Sequence, residues 1–286
     1  MTSRFAAALA VCTLAATPSL PSRAAAAQQP EYETTRIADG VYMFRYQVHN
    51  SMFVLTDEGV VVFDPINPEA ARIYREEIRQ ITSDPIRAIV YSHHHGDHVS
   101  GAAALATNVP IISQALAREQ LAAEPNPDIA LPNRTFTDEM TLYMGSKTIH
   151  LVYLGPNHSN NSVVAHLPDQ GIVFAVDFVS NDRVGYRDLP GYYFPALWES
   201  LERLQELDYQ TAVFGHGAPG TKADVYDQIN YWTDLRGAVE AALAAGMSEE
   251  EAVEAIDLPA YSDWGGYDNW FKMNLRTVYR YYAETG

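Results

Sequence analysis

Residues 91–98 contain the densest set of potential metal ligands in the chain. They read Tyr-Ser-His-His-His-Gly-Asp-His, so imidazole and carboxylate groups make up five of the last six positions. An apolar run at residues 86–91 precedes them, and a Gly-Ala sequence begins a predicted helix at Ser100. This order places the ligands on a turn at the carboxyl end of a strand, where α/β proteins commonly hold their reactive groups. The segment predicts a metal site rather than a surface run of histidines.

The spacing within this turn divides its side chains into two groups. His93 and His95 are two residues apart, so on an extended turn both point to the same side, as a pair of ligands to one ion requires. Asp97 and His98 follow at once and are placed to serve a second ion. His94 lies between two predicted ligands and is expected to face away from them.

Three later residues each follow a predicted strand. His158 lies in a polar loop after an apolar strand, Asp177 ends the apolar run 172–176, and His216 lies between two glycines after the last strand. A single residue of this kind most often caps a strand, but three of them beside the histidine turn favour one shared site. The remaining histidines have no partner motif and are interpreted as structural or surface residues: His49, His150 and His166.

The amino terminus matches the pattern of a secretory signal. Arg4 supplies the positive charge, residues 5–16 form an apolar run, and three alanines precede Gln28. We therefore predict that residues 1–27 are a signal peptide and that the protein is periplasmic. The apolar run is too short to span a bilayer, so no stable membrane anchor is expected.

Composition restricts the ligands and the partners. The single cysteine, Cys12, lies in the predicted signal, so the processed chain has neither disulfides nor thiolate ligands, and any metal must be bound by nitrogen and oxygen. The chain has 19 basic and 36 acidic residues, a net charge of −17. This charge repels phosphate backbones and argues against nucleic acid as a partner. A small-molecule substrate is expected instead.

The order of the predicted elements indicates one α/β domain. Residues 28–36 read as a loose polar lead-in, and two sets of strands with intervening helices follow. We predict a sandwich of two mixed sheets flanked by helices over residues 28–220. Residues 221–286 are predicted to be a helical, aromatic-rich extension that packs on the same domain.

The order of these motifs resembles the metallo-β-lactamase fold superfamily. The shared pattern is His-x-His-x-Asp-His, then a later histidine, an aspartate and Gly-His-Gly. The resemblance implies an αββα sandwich with two metal ions at one edge of the sheets. It assigns His93, His95 and His158 to a first ion. It assigns Asp97, His98 and His216 to a second ion, and Asp177 to both ions. Asp64, at a strand end, matches the residue that braces the ligand turn without binding an ion.

The implied chemistry is hydrolysis. Zinc is the simplest choice for two divalent ions with nitrogen and oxygen ligands, and iron or manganese is also compatible. Two ions about 3.5–4 Å apart can share a hydroxide that attacks the substrate. Asp97 is the carboxylate nearest to that hydroxide, so it is also the candidate catalytic residue. We expect a periplasmic hydrolase that cleaves an ester, lactone, thioester or β-lactam bond.

Four questions stay open from the sequence. The bridging Asp177 resembles lactonase and thioesterase branches more than dedicated β-lactamases, whereas a periplasmic location favours β-lactams. Tyr192 or Tyr193, in the tyrosine-rich loop after Asp177, is a candidate to bind a substrate carbonyl; packing on the C-terminal aromatic residues is the alternative. Those aromatic residues could also form a homodimer face. The alternative function is a non-hydrolytic metal protein, either a di-iron redox protein or a periplasmic relay or binding factor.

Overall fold

The apolar runs before and after the histidine turn form the first of two β-sheets. A computed structural model describes residues 31–285. The first sheet follows chain order, antiparallel from the first to the fourth strand and parallel from the fourth to the seventh. Its strands are β1 (Tyr32–Ala38), β2 (Val41–Tyr46), β3 (His49–Thr56), β4 (Gly59–Phe63), β5 (Ile86–Val90), β6 (Ile111–Gln114) and β7 (Arg134–Phe136).

The second sheet has six strands. In chain order they are β8 (Glu139–Met144), β9 (Lys147–Tyr153), β10 (Val163–Leu167), β11 (Ile172–Ala175), β12 (Thr211–Phe214) and β13 (Gly220–Thr221). The strands again lie side by side in chain order, and only β11 and β12 are parallel. A parallel pair needs a crossover connection, which here contains a helix, so the two strands end at the same edge.

Helices cover the outer faces of both sheets. They are α1 (Pro68–Ile81), α2 (Gly96–Val99), α3 (Ala102–Leu105), α4 (Ala115–Ala123), α5 (Ala196–Glu206), α6 (Lys222–Ala244), α7 (Glu249–Ala255) and α8 (Tyr267–Thr285). Short 3-10 turns occur at Pro168–Gln170 and Pro259–Tyr261. Asn67 caps α1 by accepting hydrogen bonds from the backbone N–H groups of Glu69 and Ala70.

Three apolar clusters hold these layers together. Phe63 and Phe174 meet between the two sheets, edge to face, with ring centroids 5.6 Å apart. Tyr74 of α1 packs on the outer face of the first sheet, and Trp232 of α6 packs with residues of the second. The predicted sandwich of two sheets flanked by helices is confirmed.

Two details differ from the sequence interpretation. The polar lead-in is largely strand β1, which pairs with β2 along the edge of the first sheet. Its residues are mostly exposed or half-buried, so no hydrophobic alternation identified it. The helix expected from Ser100 is only the four-residue α3, which begins at Ala102, and the end of the histidine turn itself forms the short helix α2.

The C-terminal helices share the core of the second sheet. Phe271 and Leu275 of α8 are buried in the same cluster as Phe214 of β12. Trp264 and Trp270 of the aromatic-rich C-terminal segment also pack against this cluster. The homodimer stays a prediction. Within residues 31–285 no helix is long and apolar enough to cross a membrane. The predicted signal peptide lies outside the described residues.

Candidate metal centre

The predicted ligands meet because five strand ends face one edge of the sandwich. In the first sheet, β4 ends at Asp64 and the neighbouring β5 leads into the histidine turn. In the second, the parallel strands β11 and β12 lead into Asp177 and His216. The loop between β9 and β10 supplies His158. Distant parts of the chain therefore place imidazoles and carboxylates side by side.

The carboxylate of Asp177 lies at the centre of this group. Its Oδ2 atom is 3.2 Å from His98 Nε2 and 3.5 Å from each of His93 Nε2 and His158 Nε2. Its other oxygen, Oδ1, is 3.3 Å from His216 Nε2. Asp177 has a backbone φ of 68°, in the left-handed region that a residue other than glycine rarely adopts. One carboxylate thus faces both groups of predicted ligands, as a bridging residue must.

The first predicted group of ligands is assembled. Ligand atoms of His93, His95, His158 and Asp177 all lie within 4.8 Å of one another. His95 Nδ1 and His158 Nε2 are only 2.9 Å apart. His93 is fully buried, and its Nδ1 lies 2.9 Å from Ser92 Oγ, so the other ring nitrogen faces the cluster. His94 instead contacts Asn161 outside the cluster, as expected.

Asp64 contacts two residues of the histidine turn. The carboxylate is fully buried and accepts hydrogen bonds from the backbone N–H of Ser92, at 2.7 Å, and from Ser92 Oγ, at 2.6 Å. It also lies 3.1 Å from His98 Nδ1. This contact fixes the orientation of the His98 ring, so that Nε2 points toward Asp177. Such partners commonly fix the tautomer and the orientation of a ligating histidine.

The loop that carries His216 is fixed by the first sheet. His216 Nδ1 lies 2.7 Å from the carbonyl oxygen of Val48, which leaves Nε2 for the cluster. Asn50 Nδ2 donates to the carbonyl oxygens of Phe214 and Gly217. A Cβ atom at Gly215 would lie 2.5 Å from Asp177 Oδ1, so this close approach requires glycine.

His49 is a member of the cluster that the sequence interpretation missed. Its Nε2 lies 3.2 Å from Asp97 Oδ2, and the two residues form a compact group with His216. His98, Asp177 and His216 form another such group. The contact between His49 and Asp97 joins distant segments, so no local pattern reveals it. The only sequence signal for His49 as a member of the cluster was its place at the start of a strand.

The environment keeps most of these imidazoles neutral. Burial lowers the pKa of His93, His158 and His216, and lowers the pKa of His95 to about 4. Burial also opposes a charge on His98, but the carboxylates of Asp177 and Asp64 outweigh it and raise the pKa of His98. Burial raises the pKa of Asp97, but the hydrogen bond with His49 and the charge of His98 outweigh burial and lower that pKa to about 2. Neutral imidazoles and ionised carboxylates are the forms that bind cations.

The pattern of unsatisfied atoms fits divalent ions. His93 Nε2, His98 Nε2 and Asp177 Oδ1 are buried and have no hydrogen-bond partner among residues 31–285. Leaving a buried polar atom unpaired costs about 1–3 kcal/mol, and these three belong to the same cluster. Cations bound at the cluster would satisfy all three. With nitrogen and oxygen atoms as ligands, the cluster is suited to zinc, iron or manganese.

A cavity of about 560 Å³ opens onto the cluster. Residues 178–195, which we name the cavity loop, provide most of its lining together with His95, Asp97, His158, Asp177 and His216. Tyr192 lines the cavity, but its hydroxyl donates a 3.0 Å hydrogen bond to the carbonyl oxygen of Asp177. Tyr193 is 42% exposed and is not part of the lining. Of the two tyrosines, only Tyr192 borders the cavity, and its hydroxyl proton is engaged with the backbone of Asp177.

Comparison with known proteins identifies the family. The model of the metallo-β-lactamase superfamily matches residues 45–216. The chain belongs to this superfamily. It is therefore a metal-dependent hydrolase, and its histidine and aspartate cluster is a site for divalent metal.

Relatives of the chain include an O-demethylase subunit, an alkylsulfatase and a hydroxyacylglutathione hydrolase. The chain is 24% identical over 272 residues to 2,4-dinitroanisole O-demethylase subunit alpha of Nocardioides sp., covering 90% of this chain and 82% of that one. It is 23% identical to a linear primary-alkylsulfatase of Pseudomonas sp., covering 77% of this chain but only 52% of the alkylsulfatase. It is 25% identical to a hydroxyacylglutathione hydrolase of Gloeobacter violaceus, covering 71% and 82% of the two chains.

The fold has a close structural counterpart. A metallo-β-lactamase from Pontibacter korlensis superposes with a TM-score of 0.62 and 22% identity, covering 70% of this chain and 97% of that chain. At this identity the likeness concerns the fold alone, and it agrees with the two flanked sheets described above.

Proposed function

We propose that the chain hydrolyses an ester, lactone, thioester or β-lactam bond with two divalent ions, zinc being the simplest choice. The observation that carries the proposal is the position of Asp177, whose carboxylate lies 3.2–3.5 Å from histidines of both predicted ligand groups. Divalent ions held by these histidines and Asp177 would lower the pKa of a bound water and polarise the oxygen of the scissile group.

The residues of the chain supply orientation and proton transfer. Asp97 lines the cavity, and the side chain is 52% exposed, so its carboxylate can reach both the reacting water and the substrate. His49 holds this carboxylate from the other side through the 3.2 Å contact. In this proposal Asp97 accepts the proton of the attacking water and passes it to the leaving group. No side-chain nucleophile is needed.

The cavity supports an organic substrate of modest size. Its lining includes Phe178, Val179 and Val184, which can contact an apolar body beside the cluster. A volume of about 560 Å³ lies within the range of small-molecule sites. The names of the relatives extend the test to an alkyl sulfate and to hydroxyacylglutathione.

A panel assay tests this function. The zinc-loaded chain from residue 28 onward is incubated with nitrocefin, a homoserine lactone, a thioester, an aryl acetate and an alkyl sulfate. We expect metal-dependent hydrolysis of at least one, abolished by a chelator and restored by zinc. Absence of turnover in every reaction, with two ions bound per chain, would contradict the proposal. A coloured, iron-containing preparation without hydrolysis would support the redox alternative.

The periplasmic location is also a proposal. It rests on the pattern of Arg4, the apolar residues 5–16 and the alanines before Gln28. Expression of the whole chain in a bacterium, followed by fractionation and amino-terminal sequencing, should yield a periplasmic protein that begins at Gln28. An uncleaved cytoplasmic product would contradict it.

A further inference from the structure

His49 lies beside the second group of predicted ligands, although it is outside the His-x-His-x-Asp-His pattern and the later ligand positions. Its Nε2 atom is 3.2 Å from Asp97 Oδ2, and the same oxygen lies 3.7 Å from His98 Nε2. Ligand atoms of His49, Asp97 and His216 all lie within 4.8 Å of one another. Several imidazole nitrogens therefore face one carboxylate oxygen, and His49 supplies one of them.

The distance between His49 and Asp97 matches that between two ligands of one ion. Nitrogen and oxygen ligands lie about 2.0–2.2 Å from zinc, so two of them are roughly 2.9–3.5 Å apart in octahedral or tetrahedral geometry. Asp177 Oδ2 has the same relation to assigned ligands, at 3.2 Å from His98 Nε2 and 3.5 Å from His93 Nε2. A charge-assisted hydrogen bond is usually shorter, at about 2.7–2.9 Å. His49 thus meets the same geometric criterion as the assigned ligands.

The backbone on both sides of His49 is bonded to the loop that carries His216. The carbonyl oxygen of Val48 lies 2.7 Å from His216 Nδ1, and the backbone N–H of Asn50 donates to the carbonyl oxygen of Gly215 at 2.7 Å. The rings of His49 and His216 lie side by side, with centroids 4.8 Å apart. The His49 side chain is only 21% exposed. The contacts that position the assigned ligand His216 therefore position His49 as well.

A buried nitrogen without a partner also points to a cation at this place. His98 is fully buried, and its Nε2 has no hydrogen-bond partner among residues 31–285. The ring of His49 meets the ring of His98 edge-on, with centroids 5.9 Å apart. Leaving a buried polar atom unpaired costs about 1–3 kcal/mol. A cation in contact with His98 Nε2 and Asp97 Oδ2 would remove this cost.

We propose that His49 is a ligand of the second ion, in addition to Asp97, His98, His216 and the bridging Asp177. Each ion then has three imidazole ligands and a share of Asp177, and the second ion also has the carboxylate of Asp97. Five protein ligands are one more than zinc usually takes in proteins, so the second position suits an ion that accepts five or six ligands. This inference rests on the two-ion site of the proposed function.

Titration of the metal-free protein with zinc, in competition with a chromophoric chelator, tests the inference. The variant is His49→Gln, whose amide can still donate a hydrogen bond to Asp97 but is a poor ligand for zinc. We expect the first ion to bind as in the wild type and the second to bind more than about 100-fold more weakly. That loss exceeds the range of about 10-fold to 100-fold that is typical when a residue only orients a ligand. A loss of 100-fold or less would overturn the proposal.

A second histidine provides the matched control. His150→Gln makes the same substitution in strand β9, where the imidazole contacts Thr141 Oγ1 at 3.0 Å, outside the cluster. It should bind both ions as the wild type does. Circular dichroism and the urea midpoint of each variant show whether it folds. Equal weakening of both ions in His49→Gln, with a lower urea midpoint, would show a structural role for His49 and would overturn its role as a ligand.

A crystal structure of the zinc-loaded wild type tests the contact without any variant. We expect the second ion to lie about 2.0–2.1 Å from His49 Nε2, the usual length of a zinc–nitrogen bond. A separation beyond about 3 Å, with the contact to Asp97 kept, would overturn the proposal even if substrates are hydrolysed. Neither measurement uses a substrate. Ligation by His49 without hydrolysis of any compound in the panel would therefore count against the proposed function alone.

Discussion

The ligand cluster and the cavity loop are built in different ways. In the cluster, His93 and His98 are fully buried, and each has one ring nitrogen occupied by a neighbouring side chain. The cavity loop is held largely through its backbone, by residues such as Gly265 and Gln228 that come much later in the chain. Reactivity is thus fixed by the sandwich, whereas the shape and charge of the cavity depend on the C-terminal helices. Substitutions in the two regions should have separable effects.

Removal of a central ligand should have the largest effect. We expect His95→Ala to lose at least one ion per chain and to reduce kcat/KM by more than about 1,000-fold, because a bound ion supplies several kcal/mol of charge stabilisation. Metal analysis and kinetics on the same preparation measure both effects. His94→Ala is the control, since the neighbouring imidazole contacts Asn161 instead. Full activity of His95→Ala would contradict the assignment.

Gly215→Ala should be nearly as damaging. The new Cβ atom would lie 2.5 Å from Asp177 Oδ1 and 2.6 Å from Val176 Cγ1, so the central carboxylate must move. We expect fewer than two ions per chain, while circular dichroism shows an unchanged fold. Gly237→Ala, in α6, meets no atom within 4 Å and should keep both ions. An unaltered metal content in Gly215→Ala would show that Asp177 does not bridge.

Loss of the brace should weaken metal binding without abolishing it. Asp64→Asn removes the negative charge that faces His98 Nδ1 at 3.1 Å. Substitution of such partners typically lowers metal affinity by about 10-fold to 100-fold. Competition with a chromophoric chelator gives the affinity. Asp169→Asn, which changes an exposed carboxylate, should match the wild type.

The metal-free protein should lose stability on acidification. Burial lowers the pKa of His95 to about 4 and also lowers that of His93. Below about pH 6.5 the unfolded chain therefore binds more protons than the folded chain, and stability falls as the pH drops from 6.5 toward 4. His98, with its raised pKa, opposes this trend, since its contribution is present at low pH and is lost as the pH rises through that pKa.

Denaturation measurements check this dependence. The urea midpoint of the chelator-treated protein should be lower at pH 5 than at pH 7, and His95→Gln should reduce the difference. An equal or higher midpoint at pH 5 would show that the buried imidazoles do not control the acid sensitivity.

Within the cavity loop the expected effects are smaller and concern the substrate. Tyr192→Phe removes the hydrogen bond to the carbonyl oxygen of Asp177, worth about 0.5–1.5 kcal/mol. We expect two ions per chain and a change in KM of about 10-fold or less. Tyr193→Phe should change nothing, because that side chain does not line the cavity. If Tyr192→Phe lost metal, the two regions would not be separable.

The sequence predicted the site best where potential metal ligands lie close together in the chain or directly after a strand. The turn at residues 91–98 and the strand-end positions of His158, Asp177 and His216 indicated the site, and the resemblance to a family assigned their roles. The assigned residues do meet in space. The two-sheet sandwich was also predictable, because apolar runs and turn signals alternate along the chain.

The remaining features depend on contacts between distant residues. His49 reaches Asp97 only once β3 lies beside the histidine turn, and the backbone of the cavity loop is held by Gly265 and Gln228. Strand β1 is polar and lies at a sheet edge, so it lacks the alternation that marks a half-buried strand. Such features are properties of the folded chain, and no single segment encodes them.

The central claim is that one carboxylate joins two metal ions at this edge of the sandwich. The most direct test is anomalous diffraction at the zinc edge from crystals of the zinc-loaded protein. The account predicts two peaks, one among His93, His95 and His158 and one beside His98 and His216, with Asp177 between them. A single peak, or a second peak away from Asp177, would contradict it.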